Sequence, residues 1–209
     1  DAEGIEDIEQ NFVDAAIRAV DVGFDIIELH AAHGYLLHEF LSPVTNTRED
    51  EYGGSFENRT RLVKEIVADV RDVIPEGMPL FVRVSATDWF PDRESWTVED
   101  STELAGELQS LGVDLVDVSA GAIHPDQQVP STGPHYQVPY AEQVAESGIP
   151  VGTVGAITTP EGADEIIRNG RADLAILGRE HLRDPYFAVH AAQELGRDGP
   201  VPRQYHRAF

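Results

Sequence analysis

The sequence predicts an α/β domain built on a parallel sheet, and three observations predict it. Five short apolar runs alternate along the chain with longer segments of helical spacing, a pattern that calls for parallel strands joined by helical crossovers. The polar and glycine residues gather at the C-terminal ends of those runs, as they do where parallel sheets carry their sites. The helical segments open at proline or at a capping hydroxyl and stop at proline or glycine.

Taken in order, residues 5–20 place Ile5, Ile8, Phe12, Ala15, Ala16 and Val20 at helical spacing, giving one apolar face. The run Gly23-Phe24-Asp25-Ile26-Ile27-Glu28-Leu29 follows as the first strand; its nearly continuous apolar character predicts burial on both faces. A polar loop at 42–55 ends at Ser55, placed to cap a helix over 56–72 that Pro75 and Gly77 terminate. Strands are predicted over 79–85, 114–119, 150–154 and 172–177, and helices over 98–111, 140–147, 160–169 and 185–195. No linker or repeat marks a second domain, so residues 1–209 read as part of one domain.

The 209 residues include 38 acidic and 15 basic ones, for a formal charge of −23, and Lys64 is the single lysine. Such a surface disfavours nucleic acid and anionic membrane as partners. It suits a salt-rich cytoplasm, where screening acts within about 3 Å at 1 M salt, and predicts a halophilic, archaeal source. The chain has no cysteine, so no disulfide framework and no thiolate metal site, and no run is long or apolar enough for a membrane span or signal. A cytoplasmic protein is expected.

Chemistry concentrates at the strand ends. The first strand runs into His30, His33 and Tyr35. Two imidazoles three residues apart can both donate to one oxygen, with the phenol as a proton donor to a neighbouring atom; zinc ligation and a packed loop are the alternatives. Arg83 interrupts the apolar run Leu80-Phe81-Val82-Arg83-Val84 and demands an anionic or carbonyl-rich partner, either a ligand or an internal carboxylate. Gly152-Thr153-Val154-Gly155 and Leu177-Gly178-Arg179 end the last two strands, where backbone donors and a guanidinium suit a phosphate. Arg48, Asp50, Asn58 and Arg59 read as braces of the 42–55 loop, and His38, His124, His135 and His181 as structural or surface residues.

The run from His30 through Pro43, continued by Asn46-Thr-Arg48-Glu-Asp50-Glu-Tyr52-Gly-Gly-Ser55-Phe-Glu-Asn58-Arg59, closely resembles the old yellow enzymes, flavin-dependent ene-reductases. Phe81-Val-Arg83-Val-Ser85, Gly152–Gly155, Gly178-Arg179-Glu180 and Gln204-Tyr-His-Arg207 extend the resemblance over nearly the whole chain, toward the thermophilic-like NADPH dehydrogenase branch. That implies a TIM (β/α)8 barrel. Such a barrel takes about 250 residues, so the five strands correspond to about strands four to eight, with the N-terminal strands outside this sequence. An open arc of that kind should expose strand edges and apolar interior surface.

The resemblance further implies FMN as cofactor, NADPH or NADH as reductant, and an α,β-unsaturated carbonyl as small-molecule substrate. His30 and His33 would bind the carbonyl oxygen, Tyr35 would protonate the α-carbon, and Arg83 would lie beside the flavin pyrimidine ring. Val154, Gly155, Gly178 and Arg179 would contact the phosphate end. Arg207 matches an arginine that reaches into a neighbouring subunit's site, which implies a homo-oligomer once the barrel is complete. The tail Arg207-Ala-Phe209 departs from the branch's usual Arg-Gly-Trp, and a solvated tail is the alternative. Two other readings stand beside this one: a non-catalytic remnant that needs a complementary chain, and a flavin barrel acting on dienoyl thioesters.

Overall fold

The computed structural model describes residues 2–208. Helix α1 (Ala2–Asp21) leads into strand β1 (Ile27–Ala31), followed by α2 (Leu36–Leu41) and α3 (Phe56–Val73). Then β2 (Leu80–Ser85), α4 (Val98–Ser110), β3 (Leu115–Ser119), α5 (Val138–Val144), β4 (Val151–Val154), α6 (Pro160–Arg168) and β5 (Leu174–Ile176) alternate. Helices α7 (Arg179–Arg183) and α8 (Phe187–Glu194) and a 3-10 segment at Arg203–Ala208 close the described chain. All five strands are parallel and lie in sequence order across one sheet.

The helix starts follow local chemistry. Ser55 accepts from the Asn58 backbone N–H at the head of α3, and Thr97 and Asp100 form a reciprocal capping box at α4. Thr159 accepts from Gly162 N–H, with Pro160 fixing the first turn of α6. The polar loop between α2 and α3 is braced as its residues suggest: Asn46 Nδ2 donates to the carbonyls of Phe40 and Tyr52 at 2.6 and 2.7 Å. Asn58 Nδ2 donates to Gly53 O at 3.0 Å, Arg59 Nε to Leu41 O at 2.8 Å, and Arg48 pairs with Asp50.

One face of the sheet is the core. Ile27, Leu29, Ala31, Val82, Val84, Val116, Val118 and Val151 alternate along their strands and pack with α3 and α4 residues such as Ile66, Val67, Leu104 and Leu108. The other face carries Glu28, His30, Phe81, Arg83, Asp117, Gly152 and Leu174, which the strand register sets side by side. It is only partly covered, with Phe24, Ile26 and Leu174 64%, 46% and 43% exposed. The expected two-sided burial of the first strand is thus corrected: on its second face Glu28 is exposed and His30 only partly buried. The strand is also shorter, starting at Ile27 because Gly23 holds a left-handed turn at φ 88°. Helices α2 and α7 lie in stretches to which the sequence assigned no element; at six and five residues they are too short to reveal a period. Helix α5 begins two residues before the expected start, and its last turn tightens into the 3-10 segment Ala145–Ser147.

Candidate active site

The C-terminal ends of the strands converge on one cavity of about 660 Å³, lined among others by His33, Arg83, Val154, Gly155, Gly178 and Arg179. Six of the nine residues singled out from sequence therefore meet at one wall-to-wall space. The volume lies within the usual range for ligand sites, about 300–1,000 Å³.

His30 and Tyr35 are not among its lining residues. The His30 ring lies 5.3 Å, centroid to centroid, from both His33 and Tyr35, so the three groups form one cluster. The turn that presents them is tightly specified. His33 and Gly34 both occupy the left-handed region, at φ 60° and 74°, and a Cβ on Gly34 would sit 2.4 Å from Ala122 O. Beneath the turn, His38 accepts from Gly34 N–H through Nδ1, which leaves its Nε2–H to donate to Asp88 Oδ1 at 2.9 Å. Asp88 also accepts from Ser42 Oγ and Trp96 N–H at 2.6 and 2.8 Å, so its buried charge is fully hydrogen-bonded. His38 is structural, as its sequence context suggests: it ties the His33–Gly34 turn to Asp88.

His33 N–H donates to Ser85 Oγ, and its Nε2 lies 2.7 Å from Ser119 Oγ. Ser119 passes its own proton toward Gln137 Oε1 at 3.4 Å, so it accepts from His33 Nε2–H. Burial first, then the Arg83 charge, pushes His33 down to about 4. His30 is lowered for the same two reasons. Both rings are therefore neutral donors at physiological pH. Among the described residues no cluster of three or more His, Asp or Glu is arranged to hold a metal.

Arg83 has the internal carboxylate partner weighed for it: its Nε lies 3.0 Å from Asp117 Oδ2. The angle is not that of a hydrogen bond, and both Arg83 Nε and Asp117 Oδ1 are buried without a hydrogen-bond partner. The guanidinium nonetheless lines the cavity.

At the far wall, Gly155 has φ 128°, and a Cβ there would meet Gln137 Nε2 and Tyr136 Cε1 at 2.9 Å. Gln137, buried and donating to Val154 O at 2.7 Å, fixes this turn. A Cβ at Gly178 would meet nothing within 4 Å, so its backbone is open to the cavity. Gln137, Tyr136 and Ser119 were not singled out from sequence; only Ser119, at a strand end, carried a positional signal. Arg207 lies exposed in the final 3-10 segment and does not line the cavity.

A match to the NADH:flavin oxidoreductase / NADH oxidase family spans residues 1–198. The chain belongs to this family. It is 52% identical over 206 residues to an NADPH dehydrogenase of Geobacillus thermodenitrificans and 49% identical over 210 to that of Bacillus subtilis. These alignments cover 98% and 100% of the chain and 59% and 60% of the relatives, so it spans about three fifths of their length. Among solved structures it resembles 2-naphthoyl-CoA reductase (TM-score 0.84, 27% identity, 94% of this chain and 30% of that one). It also resembles morphinone reductase in complex with tetrahydroNAD (TM-score 0.73, 26% identity, 98% and 53%). The old yellow enzyme resemblance and the partial-barrel reading both hold. FMN with NADH or NADPH as reductant is the cofactor set that goes with the family.

Proposed function

We propose that this chain forms the substrate-binding and much of the flavin-binding part of an FMN-dependent NAD(P)H oxidoreductase that reduces the C=C bond of α,β-unsaturated carbonyl compounds. The observation that carries this reading is one cavity joining a neutral histidine donor, a half-buried arginine and two glycine turns at consecutive strand ends. The residues present fit FMN: Gly155 and Gly178 bring backbone close to the cavity, Arg179 offers a bidentate clamp to a phosphate, and Arg83 offers positive charge to an electron-rich ring edge. Val154 lines the same wall.

FMN, when bound, supplies the hydride. His30 and His33 hold the substrate carbonyl oxygen with N–H donors, His33 exchanging Ser119 Oγ for the substrate as its acceptor. Two neutral donors polarise the carbonyl and stabilise the enolate-like charge. Tyr35, beside His30, carries the proton for the α-carbon. Arg207, exposed on the tail, serves a neighbouring subunit in a homo-oligomer.

Two tests follow. Incubation with FMN in molar KCl and desalting should leave a retained, protein-perturbed flavin absorbance band. A soluble, folded chain that keeps no flavin sinks the reading. His30→Ala should reduce enone turnover by about 10²-fold or more while flavin reduction by NADPH changes little; equal losses in both half-reactions would remove the assigned role.

A second reading concerns the isolated chain. The open strand face and the exposed Phe24, Ile26 and Leu174 favour a polypeptide that needs further strands, supplied in cis or in trans, before it turns over. The likeness to 2-naphthoyl-CoA reductase keeps an acyl-thioester substrate as the alternative to a simple enone.

A further inference from the structure

The uncovered sheet face holds a charged cluster that the proposed chemistry leaves unused. Asp117 stands opposite Arg83 in the β2–β3 register, and β1 contributes Glu28, two residues before His30 on the same face. Asp117 is 1% exposed, so one carboxylate oxygen is buried with no hydrogen-bond donor while the other lies 3.0 Å from the Arg83 Nε. On the other flank its register partner is Gly152, which brings no charge. A buried carboxylate left half-satisfied is destabilising by itself, and it is held against the guanidinium that the flavin reading sets beside the ring edge.

We propose that Asp117 is a positioning residue that holds the Arg83 guanidinium toward the cavity and sets how much positive charge it presents to the flavin ring. The inference rests on the flavin reading above. With Asp117 ionised, the pair is close to neutral and adds little field at the cavity; with Asp117 protonated, Arg83 presents its full charge. Both states are accessible: burial pushes Asp117 up to about 7, with Arg83 acting to lower it and Glu28 to raise it further. Glu28 is itself raised, by burial against the opposing pull of Arg83. The remaining titratable groups near Arg83 are His30 and His33, both shifted toward the neutral form. The electron-rich reduced flavin should therefore be favoured more at pH 6 than at pH 8, beyond the change that the flavin's own protons produce.

The test is the midpoint potential of the FMN-loaded protein between pH 5.5 and 8.5, measured beside FMN affinity and thermal stability. Asp117→Asn keeps the shape and removes the charge. It should raise the reduced-to-oxidised ratio at pH 8 about tenfold, or about 30 mV for a two-electron couple, and erase the extra inflection near pH 7. Glu28→Gln leaves the pair intact and should move that inflection to lower pH, which keeps the idea testable if the Asn variant does not fold. Coincident potentials for all three proteins, with changes confined to thermal stability, would overturn the role of Asp117. Failure of the unmodified protein to bind FMN would instead overturn the flavin reading, and this inference with it.

Discussion

At the residue scale, the turn Ala32-His33-Gly34-Tyr35 decides whether the histidine pair is presented. Gly34 has two independent reasons to be glycine, a φ of 74° and a carbonyl oxygen 2.4 Å from where a Cβ would stand. Gly34→Ala should destabilise the fold by roughly 2–4 kcal/mol, lowering Tm by about 5–10 °C. It should also separate the His30 and His33 rings, readable as altered imidazole chemical shifts. A variant with unchanged Tm and ring environments would mean that the turn is not strained as described. His38 shows why burial matters more than residue type: one histidine three positions beyond Tyr35 faces the core and holds the turn by hydrogen bonds to Gly34 and Asp88. Sequence could class it as structural, yet only its partners reveal what it supports.

At the element scale, α1 and α3 pack together across a carboxylate-rich seam. Glu9 is raised to about 7, first by burial, then by a hydrogen bond and charge shared with Glu65, with Asp69 and Glu6 adding repulsion. Tyr52 donates to Glu65 at 3.1 Å and is pushed up to about 12. A carboxyl whose pKa is higher folded than unfolded binds more protons in the native state, so its stabilising contribution is full below about pH 4.5 and disappears as pH rises through about 7. Glu9→Gln should accordingly raise stability at pH 8 by about 1 kcal/mol, after allowance for its solvent contact, and change little at pH 5. Glu76→Gln, on an exposed turn, provides the control for net charge alone; an equal gain from both substitutions would remove the seam from the explanation. Asp117 follows the same sign, since it too is raised to about 7.

Over the whole molecule, a formal charge of −23 on 209 residues makes self-repulsion a term in the folding balance. Tm should climb steeply with KCl from tens of millimolar to molar, and the fold should loosen in dilute buffer. A Tm independent of salt would argue against the halophilic reading. Salt also strengthens burial of the exposed apolar residues at the two edges of the sheet, Phe24 and Ile26 beside β1 and Leu174 on β5, so concentration-dependent association at high salt is the accompanying observation to seek by light scattering. Among the described residues no helix is long and apolar enough to cross a membrane.

The sequence by itself determined the strand and helix alternation, the cap at Ser55 and the identity of most cavity residues. These are local or periodic properties: the helical spacing of Ile5, Ile8 and Phe12, or a glycine after an apolar run, can be read without knowing what lies opposite. It also determined that Arg83 needs a partner, because an unpaired guanidinium cannot sit in an apolar strand. Only the tertiary structure decided which partner. The Arg83–Asp117 register, the Ser119–Gln137 relay on His33, the clash that makes Gly34 obligatory and the open second face of β1 all depend on residues 18 to 88 positions apart, brought together by parallel pairing. Long-range pairing leaves no period in a single chain, so the site's members were legible while their wiring was not.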